Sequence, residues 1–198
     1  DAPSDGTEVT TDGASFDAGY GSVTVKASPA DADKIYVVYG NILTTEAFAN
    51  TEKITLTGGS GSAPVTANTV TVENGATANI TTDGLYIDAS ATEDVYAFMI
   101  QSGAAVNLTL KNENSFMSGI WAAGIGVPEG AALTVTKESD GSVTATGLHG
   151  AGIGGGYEGS GGTVTVNGGT VTARSATGSA GIGGGDQGSG GTVTVNGG

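Results

Sequence analysis

Through the later part of the chain, apolar and polar residues alternate in short runs. In residues 163–166, TVTV, the valines share one face and the threonines the other. That period of two predicts a strand, where successive side chains point to opposite sides. The run also recurs. Residues 151–169 read AGIGGGYEGSGGTVTVNGG and residues 180–198 read AGIGGGDQGSGGTVTVNGG, a near-identity. Looser copies precede them at 122–150, 96–121 and 68–90, so five units at a nearly constant spacing fill most of the chain beyond its first third.

Aligning the units produces apolar columns. One runs Ile80, Leu108, Val135, Val166, Val195; a second Ala78, Val106, Leu133, Val164, Val193; a third Val70, Phe98, Ile125, Ile153, Ile182. Like residues one repeat apart are what a parallel β-solenoid requires, because each strand pairs with its equivalent in the next coil. Three short strands per unit suit a three-sided coil, with Asn167-Gly168-Gly169 at one bend. Glycine makes up 37 of 198 residues and is spread throughout, at about 1 kcal/mol per site in a helix interior, which excludes helical repeats. The expected fold is all-β: a right-handed parallel β-helix, the hand following from the preference of parallel crossovers.

Residues 1–60 lack the repeat. Strands are expected at 22–26, 34–39 and 53–57, an edge strand at 8–11, and a short helix at 43–50 (LTTEAFAN). This region reads as a β-rich N-terminal cap or a small separate β domain, with GGSGS at 58–62 as linker. Residues 61–198 form the β-helix of about five coils, the last incomplete. A coil ending at Gly198 exposes Val193 and Val195 with unpaired strand groups beside them. That edge invites end-to-end self-association or a continuation of the array.

Charge narrows the partners. Six basic against 20 acidic residues give a net charge of −14, which repels nucleic acid and anionic membrane surfaces. There is no cysteine, hence no disulfide frame and no zinc–thiolate site. No apolar run is long enough for a transmembrane helix.

The Gly-rich string at 152–162 lacks the GK[ST] of a phosphate loop. Glycine packing and tight turns explain it. Glu158 and Asp186 lie in its two copies and are the candidate ligands for calcium, the one cofactor considered; otherwise none is expected. Tyr86, Trp121 and Tyr157 are candidate sugar-binding residues, since an aromatic face suits the apolar face of a pyranose. No catalytic residue is assigned. Asp83, Asp88, Glu93 and Asp94 are close in sequence, and a carboxylate pair would serve a lyase or hydrolase acting on acidic glycans. Nothing in the sequence gathers them around a groove. His149 stands in a turn, LHG, without an assigned partner.

The units AGIGVPEGAALTVT, AGIGGGYEGSGGTVTVNGGTVTA and AGIGGGDQGSGGTVTVNGG resemble the glycine-rich repeats of large bacterial cell-surface proteins of the adhesin-like and carbohydrate-binding-domain type. The resemblance covers residues 68–198 or so. It implies a right-handed parallel β-helix, secretion, and attachment to a wall or matrix. The expectation is a non-enzymatic extracellular module, secreted or on a bacterial surface, that binds a glycan or a host or matrix ligand. A structural stalk or filament subunit is the alternative, and the glycan-cleaving enzyme a further one.

Overall fold

The computed structural model describes residues 7–10, 13–43 and 47–198. Among these there is no helix; the chain is a β-solenoid of about five coils whose strands stack in parallel on three faces. Among the described residues no helix is long and apolar enough to cross a membrane.

The first face carries Val70–Val72, Phe98–Ile100, Ile125–Gly126, Ile153–Gly154 and Ile182–Gly183. The second carries the start of the long strand Thr77–Asp88, then Ala105–Lys111, Ala132–Val135, Thr163–Val166 and Thr192–Val195. The third carries the end of Thr77–Asp88, then Glu113–Met117, Ser142–Gly147 and Thr170–Ser175. All three expected columns are present residue for residue: Phe98 lies opposite Val70 and Ile125, Val106 opposite Ala78 and Leu133, Leu108 opposite Ile80 and Val135. The register persists to Val166 opposite Val195 and Ile153 opposite Ile182.

Up to Ile153, Val164 and Val166 these columns point inward and form one continuous core, against which Ile182 is partly buried, while Val193 and Val195 at the end of their columns are exposed. The third face adds Ile87, Phe116, Ala145 and Ala173 in line. Two polar residues are buried there with partners. Asn114 accepts from the Leu85 amide at 2.9 Å and donates to the carbonyls of Lys111 (2.9 Å) and Ser142 (3.0 Å). Ser139 Oγ accepts from the Leu110 amide at 3.0 Å. Thr82 is different. It stands between Leu56 and Leu110, and its buried hydroxyl has no hydrogen-bond partner among the described residues.

The N-terminal region joins the same sheets. Val23–Ala27 pairs in parallel with Val70–Val72, and Lys53–Gly58 with Thr77–Asp88. Gly13–Asp17 pairs in parallel with Lys53–Gly58, and Thr7–Thr10 turns back antiparallel onto it. Thr11, the last residue of the expected edge strand, lies outside the described residues. On the first face Lys34–Tyr39 runs antiparallel to Val23–Ala27. Antiparallel strands thus flank the parallel stack on both of these faces.

The helix expected at 43–50 is not formed. Ile42–Leu43 and Phe48–Ala49 are strands pairing antiparallel with Lys34–Tyr39, while residues 44–46 lie outside the described residues. Phe48 faces Ile35 and is buried. An extended segment buries it and satisfies the sheet's backbone groups together, and that tertiary gain overrides a weak local preference. The expected linker is ordered as well: Gly58 (φ +131°) and Gly59 (φ +72°) turn the chain sharply, and Ser60 bridges back to Ala63. Only glycine takes such angles without strain.

Candidate functional site

The site grows from the corner between the third and first faces. After Glu113–Met117 the chain turns at Ser118, whose amide donates to Thr146 O at 3.2 Å and whose hydroxyl donates to the Ala123 carbonyl. Gly119 follows. A Cβ there would lie 1.8 Å from Thr92 O, so the turn presses against the coil before it in a way only glycine allows. Ala122 N closes the turn on Gly119 O at 3.1 Å, and Trp121 is left at the surface.

The next coil repeats this corner after Ser142–Gly147. Ile125 lies opposite Ile153, and the same step along the chain leads from Trp121 to His149. The His149 amide donates to Ile120 O at 2.9 Å, locking the two turns together. Trp121 and His149 therefore stack, with ring centroids 4.6 Å apart and planes 28° from parallel.

The third ring comes from the Gly-rich turn. Tyr157 N donates to Trp121 O at 2.8 Å, and its ring sits 4.9 Å from Trp121 at 59° and 6.1 Å from His149 at 87°. Gly156 makes this approach feasible: a Cβ there would meet the Tyr96 hydroxyl at 2.3 Å and Trp121 O at 2.9 Å. In the equivalent turn one coil later, Gln187 Nε2 donates to Tyr157 Oη at 3.0 Å. His149 is held from the same side: Thr177 Oγ1 lies 3.0 Å from Nδ1, and Ser179 Oγ donates to its carbonyl at 2.7 Å. Close to Gly156, burial and then the charge of Asp94 raise the Tyr96 pKa.

Rings packed on one another above hydrogen-bonded turns lose little entropy on binding. Trp121 is 36% exposed, Tyr157 37% and Leu148, beside His149, 36%. The corner therefore presents a tilted aromatic platform edged by amide and hydroxyl groups. Such a surface can stack on the C–H face of a sugar while polar neighbours take its hydroxyls.

Of the expected sugar-binding residues, Trp121 and Tyr157 come together and Tyr86 does not join them. It lies on the third face, its hydroxyl donating to Glu113 Oε2 at 3.4 Å, with a pKa raised by desolvation and then by the Glu113 charge and hydrogen bond. A groove of about 190 Å³ runs beside it, lined by Ser60, Pro64, Asp88, Ser115 and Met117. Glu158 and Asp186 meet through the backbone, Glu158 N donating to Asp186 O at 2.8 Å. Among the described residues no group of three or more His, Asp or Glu side chains is placed to hold a metal. Asp83 accepts from Asn112 Nδ2 at 2.6 Å, and Asp88 caps its own turn through the Ser90 amide at 2.9 Å. Val193 and Val195 stand exposed on the outermost strand.

Two other surfaces are less suited to a ligand. One groove, about 440 Å³, is walled by glycine and serine backbone with Glu129 as its one ionisable residue, and has no ring. The second face bears side-chain ladders, Asn107 to Asn79 (2.9 Å), Thr109 to Thr136 (2.9 Å) and Asn196 to Asn167 (2.8 Å), whose polar groups satisfy one another.

The roles of His149 and Gln187 were not read from the sequence. For His149 the available signal was its offset from Trp121, which equals the offset of Ile153 from Ile125. Comparison with protein-family models, with curated proteins and with solved structures finds no match to this chain.

Proposed function

We propose that the protein is a non-enzymatic extracellular module, secreted or displayed on a bacterial surface, that binds carbohydrate at the Trp121–His149–Tyr157 corner. The observation that carries this reading is the contact of three rings from two coils and a loop, held by backbone hydrogen bonds yet open to solvent. Buried rings would be explained by packing alone; half-open rings on a protein whose aliphatic side chains are largely buried are not. The resemblance of the Gly-rich units to those of cell-surface proteins supports the location.

A glycan array followed by titration calorimetry tests the reading. Trp121→Ala should weaken binding at least about thirtyfold, as expected for a central aromatic anchor worth ~2 kcal/mol. Binding with no product released supports the module. Product release that is lost in Asp88→Ala or Asp94→Ala would establish the enzyme instead. No binding to any glycan would leave a stalk or a protein ligand.

A further inference from the structure

Resting on that reading, we infer that the ligand is a neutral, linear glycan chain lying across several coils, with the Tyr86 groove as a second subsite beyond the aromatic corner. The first ground is where apolar groups reach solvent. Seven large apolar residues are exposed among those described, and four of them, Met117, Trp121, Leu148 and Tyr157, belong to this one corner.

Met117 connects the two places. It lines the groove beside Tyr86, and it ends the strand that soon afterwards turns into Trp121. Across the third face it stands between Asp88 and Thr146, just before Leu148. Tyr86 itself faces Ser115, which faces Thr144, on the strand that leads to His149. The Trp121 turn follows the strand beside that of Tyr86, one strand spacing of about 5 Å along the solenoid axis, and the His149 turn follows the next strand, with the width of the corner added. A linear chain of several sugars can span both places.

The second ground is charge. Asp88 lines the groove, Glu113 bonds the Tyr86 hydroxyl, and Glu158 and Asp186 sit in the turns around Tyr157. Four of the lysines are ion-paired, Lys26 with Glu73, Lys34 with Asp31, Lys111 with Asp140 and Lys137 with Glu138. Arg174, beside Thr146, is the cation that shares the third face. Four carboxylates against one arginine repel a polyuronate and are compatible with an uncharged chain.

The test is calorimetric titration of the whole chain with cello-oligosaccharides and fully N-acetylated chito-oligosaccharides from the monomer to the hexamer, with oligogalacturonates as the charged series. Affinity should rise with length to the trimer or tetramer and then level off. Tyr86→Ala should weaken the hexamer about tenfold and leave the disaccharide unchanged, while Trp121→Ala weakens both. Tyr86→Phe should restore most of the loss, since the ring face and not the hydroxyl makes the contact. Binding that is equally strong at every length, a Tyr86→Ala hexamer affinity equal to that of the parent, or tighter binding of the galacturonates overturns this inference while leaving the corner as a sugar site. Failure of every oligosaccharide to bind removes the carbohydrate reading along with it.

Discussion

Two stretches of the same solenoid fill their interiors by different means. Between residues 96 and 121 the interior is side chain: Phe98 and Phe116 meet edge to face at 5.6 Å, with Ile100, Leu108 and Leu110 fully buried beside them. Between residues 140 and 191 the equivalent positions shrink. Phe98 gives way to Ile153 and Ile182, and Phe116 to Ala145 and Ala173. Backbone takes up the space. A Cβ on Gly154 would lie 1.9 Å from Gly183 O, one on Gly185 1.9 Å from Gly156 O, and one on Gly191 1.9 Å from Gly162 O. Glycine amides bond the next coil directly, Gly155 N to Gly183 O and Gly161 N to Ser189 O, each at 2.9 Å. A repeat can therefore keep its register while exchanging apolar bulk for close main-chain contact. The second solution also frees a loop to carry Tyr157 out to Trp121.

The two kinds of filling should respond differently to a change of one side chain, and most severely at Phe116. Phe116→Ala empties a fully buried site packed against Phe98 and should cost about 3–5 kcal/mol in denaturant unfolding. Gly185→Ala acts on the opposite kind of packing. The carbonyl it strikes is main chain and cannot rotate aside, so a loss of about 1–3 kcal/mol is expected, with hydrogen exchange rising first in the last coils. Gly190→Ala sharpens the point: nothing lies within 4 Å of its Cβ, and stability should stay within about 0.5 kcal/mol. A loss at Gly190 equal to that at Gly185 would show that close contact at the Cβ does not set these positions, since the lower chain entropy of alanine by itself favours the folded state.

The last substitution, at the head of the solenoid, has the opposite sign. Thr82 interrupts a leucine column with a hydroxyl that has no partner among the described residues, and Thr82→Val should raise stability by about 1 kcal/mol while keeping shape. Unchanged or lower stability in the same unfolding experiment would mean that the hydroxyl is satisfied.

Much of the architecture was legible because a solenoid restates one local pattern. Alternation in TVTV identifies the strand, and its return at a steady interval identifies the partner, so Val164 could be set beside Leu133 and Val193 without any structure. The N-terminal region offered no such return. Its strands at 22–26, 34–39 and 53–57 were visible from composition, but which would pair in parallel was not. The helix expected at 43–50 failed because the burial of Phe48 against Ile35 is a relation between separate strands.

The site divides along the same line. By itself the sequence determined the fold class and the inward columns, and its repeat spacing already set His149 one coil beyond Trp121. Only the tertiary structure decided that Tyr157, out of step with that spacing, closes on the same ring. It alone separated Tyr86 into its own groove. The physical reason is that strand register is set by equivalent positions bonding to one another, and equivalence can be read from spacing. Meetings between inequivalent positions depend on how loop backbones pack, here on how closely Gly119 and Gly156 let neighbouring turns approach.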